Sequence, residues 1–238
     1  MNLLLLREED FRPDGTARLD GRRLLHAREV LRAAEGDVLR VGKIGGNIGT
    51  GEVLALDESR LVLRCSLNES PPARPGVDLL LAIPRPKALR RVLPAAASLG
   101  VDRIVLINAA RVEKSYFDSQ VLAQSEDLLI LGLEQARDTR LPEVMVRERF
   151  RPFVEDELEA TFPHGARLLA HPPAAHAAPD LAGRAVLAIG PEGGWVPFEI
   201  QLLEQHGFTP FSLGPRSLRV EVALPYALGA ISRSRINP

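Results

Sequence analysis

Arg216, Arg219 and Glu221 lie within six residues, inside the stretch Leu213-Gly-Pro-Arg-Ser-Leu-Arg-Val-Glu-Val-Ala223. Guanidiniums fixed in a water-poor site can hold an anion that develops during a reaction. A carboxylate beside them can orient an arginine or accept a proton. Flanked by two arginines it makes a weak base, so orientation is the favoured role. Earlier in the chain stands Gly190-Pro-Glu-Gly-Gly194. It lacks the Lys-Ser/Thr ending of a phosphate-gripping loop and the GxGxxG of a dinucleotide loop. Glu192 would repel a phosphate and suits a ligand that carries positive charge or an N–H donor. Three glycines let the backbone approach a flat ligand such as a purine. The plainer reading of the loop alone is a tight turn from strand to helix.

The flanking residues show what must position these loops. Ala185 to Ile189 is a short apolar run that reads as a buried strand. Pro197 to His206 reads as a helix, with Pro197 in its first turn and Gly207 as its stop. Thr209 to Leu213 follows as a second strand. In open α/β sheets ligands sit beyond the carboxyl ends of strands, so the two glycine loops are expected side by side. Further strands are expected over Val77–Ile83, Val101–Asn108 and Arg167–Ala170. Helices are expected over Arg85–Leu99 and Asp118–Asp138, the latter with Leu122, Leu129 and Leu133 among its apolar positions. This alternation of strand and helix predicts a parallel sheet covered on both faces.

The N-terminal part reads differently. Asn2–Leu6 is an expected strand, and Asp20 an expected cap for a helix through Leu24, Leu25, Val30 and Leu31. Short strands near Val38–Val41, Gly51–Leu56 and Arg60–Ser66, with glycine turns between, predict a small barrel. The Pro-rich residues 71–76 read as a linker between domains at 1–70 and 77–238. A last helix is expected from Glu221 to Ile236, with Leu224, Leu228 and Ile231 on one face.

Composition bounds the function. The chain has 238 residues, 45% of them hydrophobic, enough for a real core. Its net charge of −1 provides no global basic field, so any nucleic-acid contact must come from local patches. Among the basic residues only Lys43, Lys87 and Lys114 are lysines. One cysteine, Cys65, excludes an internal disulfide framework and suggests a reducing, cytoplasmic setting. Leu3–Leu6 is too short for a membrane span, and neither membrane nor signal peptide is expected. His164, His171 and His176 have neither cysteine partners nor helical spacing, so they read as loop histidines and no metal is expected. Trp195 and Phe198 could stack on a base or on adenine, with core packing the favoured role for Phe198.

The combination GPEGG, Glu199, LGPRSLRVEVA resembles the C-terminal signature of the RsmE family of ribosomal RNA methyltransferases. That family belongs to the SPOUT class, whose C-terminal trefoil knot binds S-adenosylmethionine (SAM). The chain departs from the family pattern at Ser217 and Val222. The segment His26-Ala-Arg-Glu-Val-Leu-Arg32 before Gly36-Asp37 resembles the family's PUA-like β-barrel, which helps hold RNA. Leu99-Gly-Val101, Glu134-Gln-Ala-Arg137 and Arg140-Leu-Pro-Glu143 also match, while Ala95 and Ser98 stand where the family carries Lys and Glu.

The resemblance implies an α/β fold with a knotted parallel sheet after a PUA-like barrel. It implies SAM as cofactor, held by Gly190, Pro191, Glu192, Gly193 and Gly194, by Ala170 and His171, and by Leu213, Gly214, Ser217 and Leu218. It also implies 16S rRNA or the 30S subunit as partner, a homodimer, and methylation of uridine N3 near the decoding centre. Arg216, Arg219 and Glu221 are then the catalytic candidates. Arg22, Arg23, Arg28, Arg32, Arg111 and Lys114 are the expected RNA contacts. Two other readings stand beside this one: a SPOUT enzyme with another target, such as a ribose 2′-hydroxyl, and a non-catalytic RNA-binding module.

Overall fold

The structure, a computed structural model, describes residues 3–179, 181 and 183–231. The chain forms two compact units, one of 1–73 with 133–141 and one of 74–132 with 142–238.

The first unit is built on five strands: β1 (Leu4–Leu6), β2 (Thr16–Leu19), β3 (Val38–Lys43), β4 (Ile48–Leu56) and β5 (Leu61–Glu69). Their order is β1-β3-β4-β5-β2, parallel at β1–β3 and antiparallel elsewhere. Leu4, Leu6, Ala17, Leu19, Val41, Val53, Leu61 and Leu63 form the core. Asn2, the expected start of β1, lies outside the described residues.

The helix expected after Asp20 is shorter than its apolar spacing suggests. Helix α1 covers Gly21–Leu25 and passes into a single π turn over His26–Val30. A π turn inserts a residue and rotates the face beyond it. Leu24 and Ala27 are buried in the core, while Leu25, Val30 and Leu31 are exposed. The second stretch of this unit, 133–141, falls within the expected second domain. Thr139 is buried here, its hydroxyl donating to the Gly46 carbonyl at 2.5 Å.

The second unit runs β6 (Val77–Ala82), α2 (Pro86–Ser98), β7 (Arg103–Ile107), α3 (Gln120–Ala123), α4 (Ser125–Ala136) and β8 (Glu143–Arg147). It continues with α5 (Phe150–Pro152), a π turn over Phe153–Glu157, α6 (Leu158–Thr161), β9 (Ala166–Ala170) and β10 (Ala185–Ile189). It ends with α7 (Pro197–Gln205), β11 (Phe208–Phe211) and α8 (Val220–Ile231). Its six strands are all parallel, in the order β11-β9-β10-β6-β7-β8. Every residue of β6 and β10 is buried, as expected for strands inside a covered parallel sheet.

The single long helix expected over Asp118–Asp138 is interrupted at Gln124, whose φ of −96° and ψ of 16° separate α3 from α4. Helix α4 lies close against α2. A Cβ on Gly132 would meet the Pro94 carbonyl oxygen at 2.2 Å, so only glycine fits. Ser98 donates its hydroxyl to the Gly132 carbonyl at 2.9 Å. The expected strand Thr209–Leu213 begins one residue earlier and ends at Phe211. The last helix begins at Val220, and positions 232–236 of its expected course lie outside the described residues.

Candidate active site

Parallel register decides which loops meet. Ile189 of β10 pairs with Ala170 of β9, and Ala170 pairs with Phe211 of β11. The three carboxyl ends stand in one row. The two glycine loops are not immediate neighbours, because β9 lies between their strands and contributes His171 and Pro172. The chain leaving β11 is tied to the loop after β9. His171 N–H donates to Phe211 O at 2.9 Å, Ser212 N–H to His176 O at 2.7 Å, and Ser212 Oγ to Pro172 O at 3.0 Å. Helix α8 then packs against α2 and β10.

These loops enclose a cleft of about 240 Å3. Every expected cofactor residue lines it: Ala170 and His171, all of Gly190–Gly194, and Leu213, Gly214, Ser217 and Leu218. Ile189, Val220 and Ala223 supply apolar wall. Gly194 (φ +73°) and Gly214 (φ +101°) adopt left-handed backbone, and a Cβ on either would meet no atom within 4 Å. Glycine is required there by conformation, and both loops leave open space in front of their backbone.

The sequence reading misplaces Phe198, for which it favours core packing. Phe198 is half exposed, whereas Trp195 is 5% exposed and belongs to the core. Helix α7 turns Phe198 outward. Trp195 packs on Phe150 with ring centroids 5.7 Å apart and lines the cleft. Its Nε1 is buried without a hydrogen-bond partner among the described residues.

The GPEGG loop is held by side chains. Glu192 accepts from the backbone N–H and the Nε of Arg85, both at 3.2 Å. That pairing offsets the charge that otherwise suits a cationic ligand. Arg111, an expected RNA contact, donates to the Gly193 carbonyl. Glu199, 3% exposed, accepts from the Val196 N–H at 2.9 Å and the Ala110 N–H at 2.7 Å. Glu199 thus fastens the loop's exit to the loop after β7.

The catalytic candidates separate. Arg216 is exposed and lines the cleft. Arg219 is exposed at the entry to α8 and is not among the lining residues. Neither guanidinium has a hydrogen bond or ion pair among the described residues. Glu221 pairs with Arg91 of α2 at 3.5 Å, not with Arg216 or Arg219 as its spacing suggests. One helical turn carries Glu221 onto the α2 side of α8. Arg85 and Arg91 are the functional neighbours missed in the sequence. The available signal was position: Arg85 follows β6, which adjoins β10.

The expected RNA arginines of the first unit also divide. Arg23 is held by Asp10 through two bonds, one of 2.8 Å, and donates to the Leu5 carbonyl at 3.0 Å. Its side chain is 16% exposed, so Arg23 serves the fold of this unit rather than RNA. Arg22 makes a two-pronged pair with the fully buried Glu134 at 2.9 and 3.0 Å. Arg28 lies 3.3 Å from Glu29, and Arg32 and Lys114 are exposed.

Residues 71–232 match the RNA methyltransferase domain family. Over 237 residues the chain is 32% identical to the ribosomal RNA small subunit methyltransferase E of Treponema pallidum, covering 94% of this chain and 87% of that one. The chain belongs to the ribosomal RNA small subunit methyltransferase E family. The Mycobacterium bovis member is 29% identical over 93% of this chain and 88% of its own. A Legionella pneumophila chain solved with bound SAM superposes with a TM-score of 0.77, at 25% identity over 96% of this chain and 95% of that one. The Neisseria gonorrhoeae family member gives the same TM-score at 22% identity, over 97% and 96% of the two chains, and shares the fold.

Proposed function

We propose that this chain is a SAM-dependent methyltransferase that acts on N3 of a uridine in 16S rRNA, near the decoding region. The observation that carries the reading is the cleft after three adjacent parallel strands, in a chain of this family. Its residues fit SAM. The left-handed glycines keep side chains away from the ligand's path, apolar wall suits an adenine face, and the unpartnered Trp195 Nε1–H is a donor in search of an acceptor.

Bound SAM supplies a methyl group already activated by its cationic sulfur. The protein's task is to align the acceptor and stabilise it. Uracil N3 carries a proton and is a poor nucleophile until that proton leaves. Arg216, at the cleft and without a partner, is placed to hold the resulting anion. Arg219, also unpaired, stands three residues further on. Glu221 is balanced by Arg91, which leaves both arginines to the RNA. With its proton passed to solvent, N3 would accept the methyl group that bound SAM would supply.

A trefoil knot, a PUA-like barrel, a homodimer and a cytoplasmic setting belong to the same reading. The lacing of residues 211–212 onto 171–176 and the return of α8 onto α2 support a threaded C-terminus. No helix among the described residues is long and apolar enough to cross a membrane. A tritium-transfer assay from labelled SAM to 30S subunits tests the activity. Labelled 16S rRNA is expected, and no label above background would refute it.

A further inference from the structure

The first unit contains another pocket, of about 250 Å3, that none of the roles above uses. The buried Leu3 together with Leu39 and the exposed Val38 give it apolar surface. His26, Arg40 and Arg137 also line it. His26 Nε2 and Arg40 Nε are buried, and neither has a hydrogen-bond partner among the described residues. The Nη atoms of Arg40 are held by Glu69 at 2.6 and 2.8 Å, which fixes the guanidinium in place. Burial lowers the pKa of His26, so its ring is neutral at neutral pH and offers one donor and one acceptor.

Arg137 adds an independent observation. It occupies left-handed backbone, φ +58°, just beyond α4. The Asp138 N–H bonds back to Leu133 O at 3.1 Å, which closes the helix in the manner usually given to glycine. An L residue is strained there. The Arg137 side chain is exposed and makes no ion pair or hydrogen bond among the described residues. Strain kept at a position where glycine would relieve it points to use of the side chain.

We infer that this pocket takes one unpaired nucleobase of the RNA substrate. Apolar surface and the Arg137 plane meet its faces, and His26 and Arg40 Nε–H meet its edge. Single-stranded RNA is read in this way, by splayed bases stacked on planar groups and bonded at their edges. A neutral imidazole and apolar walls suit a base better than a phosphate. The inference rests on the proposed rRNA substrate.

The test compares Arg137→Gly and His26→Phe with the wild-type chain, by filter binding to 16S rRNA over a salt series. Melting temperature and SAM affinity are measured alongside. Arg137→Gly is expected to melt at or above the wild-type temperature, keep SAM affinity and bind RNA about tenfold more weakly. His26→Phe keeps an aromatic ring and removes both nitrogens; it is expected to weaken RNA binding with an unchanged salt slope. Unchanged RNA affinity in both variants would overturn the inference. So would a loss in Arg137→Gly alone with the salt slope reduced by about one, the mark of a phosphate contact. A lower melting temperature for Arg137→Gly would assign Arg137 to structure and overturn it as well. Normal methyl transfer by variants that bind RNA like wild type sinks the pocket alone. A wild-type chain that binds RNA without transferring methyl sinks the proposed activity alone.

Discussion

The backbone carbonyl of Arg219 accepts from the Val222 and Ala223 amides at 2.9 and 2.8 Å, so this residue starts α8 whatever its side chain. Its guanidinium is exposed and unpaired among the described residues, free to meet RNA. SAM is cationic at sulfur, and a guanidinium beside it is tolerated only with an anion between them. Arg219→Ala is therefore expected to leave SAM affinity nearly unchanged and to slow transfer by about a hundredfold, the effect of losing one oriented donor. Arg219→Lys should restore only part, because an ammonium lacks the forked geometry. Calorimetry and single-turnover transfer separate the two effects; loss of SAM affinity in the Ala variant would contradict this role. Glu199 belongs to another class. Its carboxylate satisfies two backbone donors in a buried place, and Glu199→Ala leaves them without an acceptor. A loss of about 3 kcal/mol in unfolding free energy is expected from denaturant titration. Cys65, by contrast, is half-buried, and burial pushes its thiol up to about 11. Its alkylation at pH 8 should be slow in the folded chain and fast in denaturant.

At the scale of elements, the cleft depends on the turn from β10 into α7. Gly194→Val forces a β-branched residue into left-handed backbone at a cost of about 1–2 kcal/mol and projects atoms toward the open space before the loop. SAM affinity is expected to fall below detection while the fold persists; unchanged affinity would move the cofactor elsewhere. This element was the most legible part of the chain. A five-residue apolar run, Pro-Gly punctuation and Pro197 fix β10, the loop and the start of α7 within a residue. Other elements left weaker signals. Strand β8, Glu143–Arg147, lies at the sheet edge, and its apolar run is only Val144–Val146 between two charged residues. The break between α3 and α4 falls at Gln124, where no glycine or proline announces it. Trp195 and Phe198 could not be assigned before the turn's geometry was known. The salt bridge of Glu221 illustrates the same limit: spacing brings Arg216 and Arg219 near in sequence, but packing of α8 on α2 brings Arg91 near in space.

Across the whole molecule, the expected activity joins a ligand cleft in one unit to RNA-contacting groups in both. Exposed Val222 and Tyr226, four residues apart on α8, give that helix an uncovered apolar stripe consistent with the proposed homodimer. Sedimentation at micromolar concentration is expected to give twice the chain mass, and a fully active monomer would remove the dimer from the account. The account's central claim is methyl transfer to uracil N3, and nucleoside mass spectrometry of 16S rRNA tests it most directly. Subunits lacking the modification are incubated with the protein and SAM, and the rRNA is then digested to nucleosides. The account predicts one new 3-methyluridine per subunit, absent when the Arg219→Ala variant replaces the wild type at equal time. A 2′-O-methylated nucleoside, or a methyl group on another base, would contradict it.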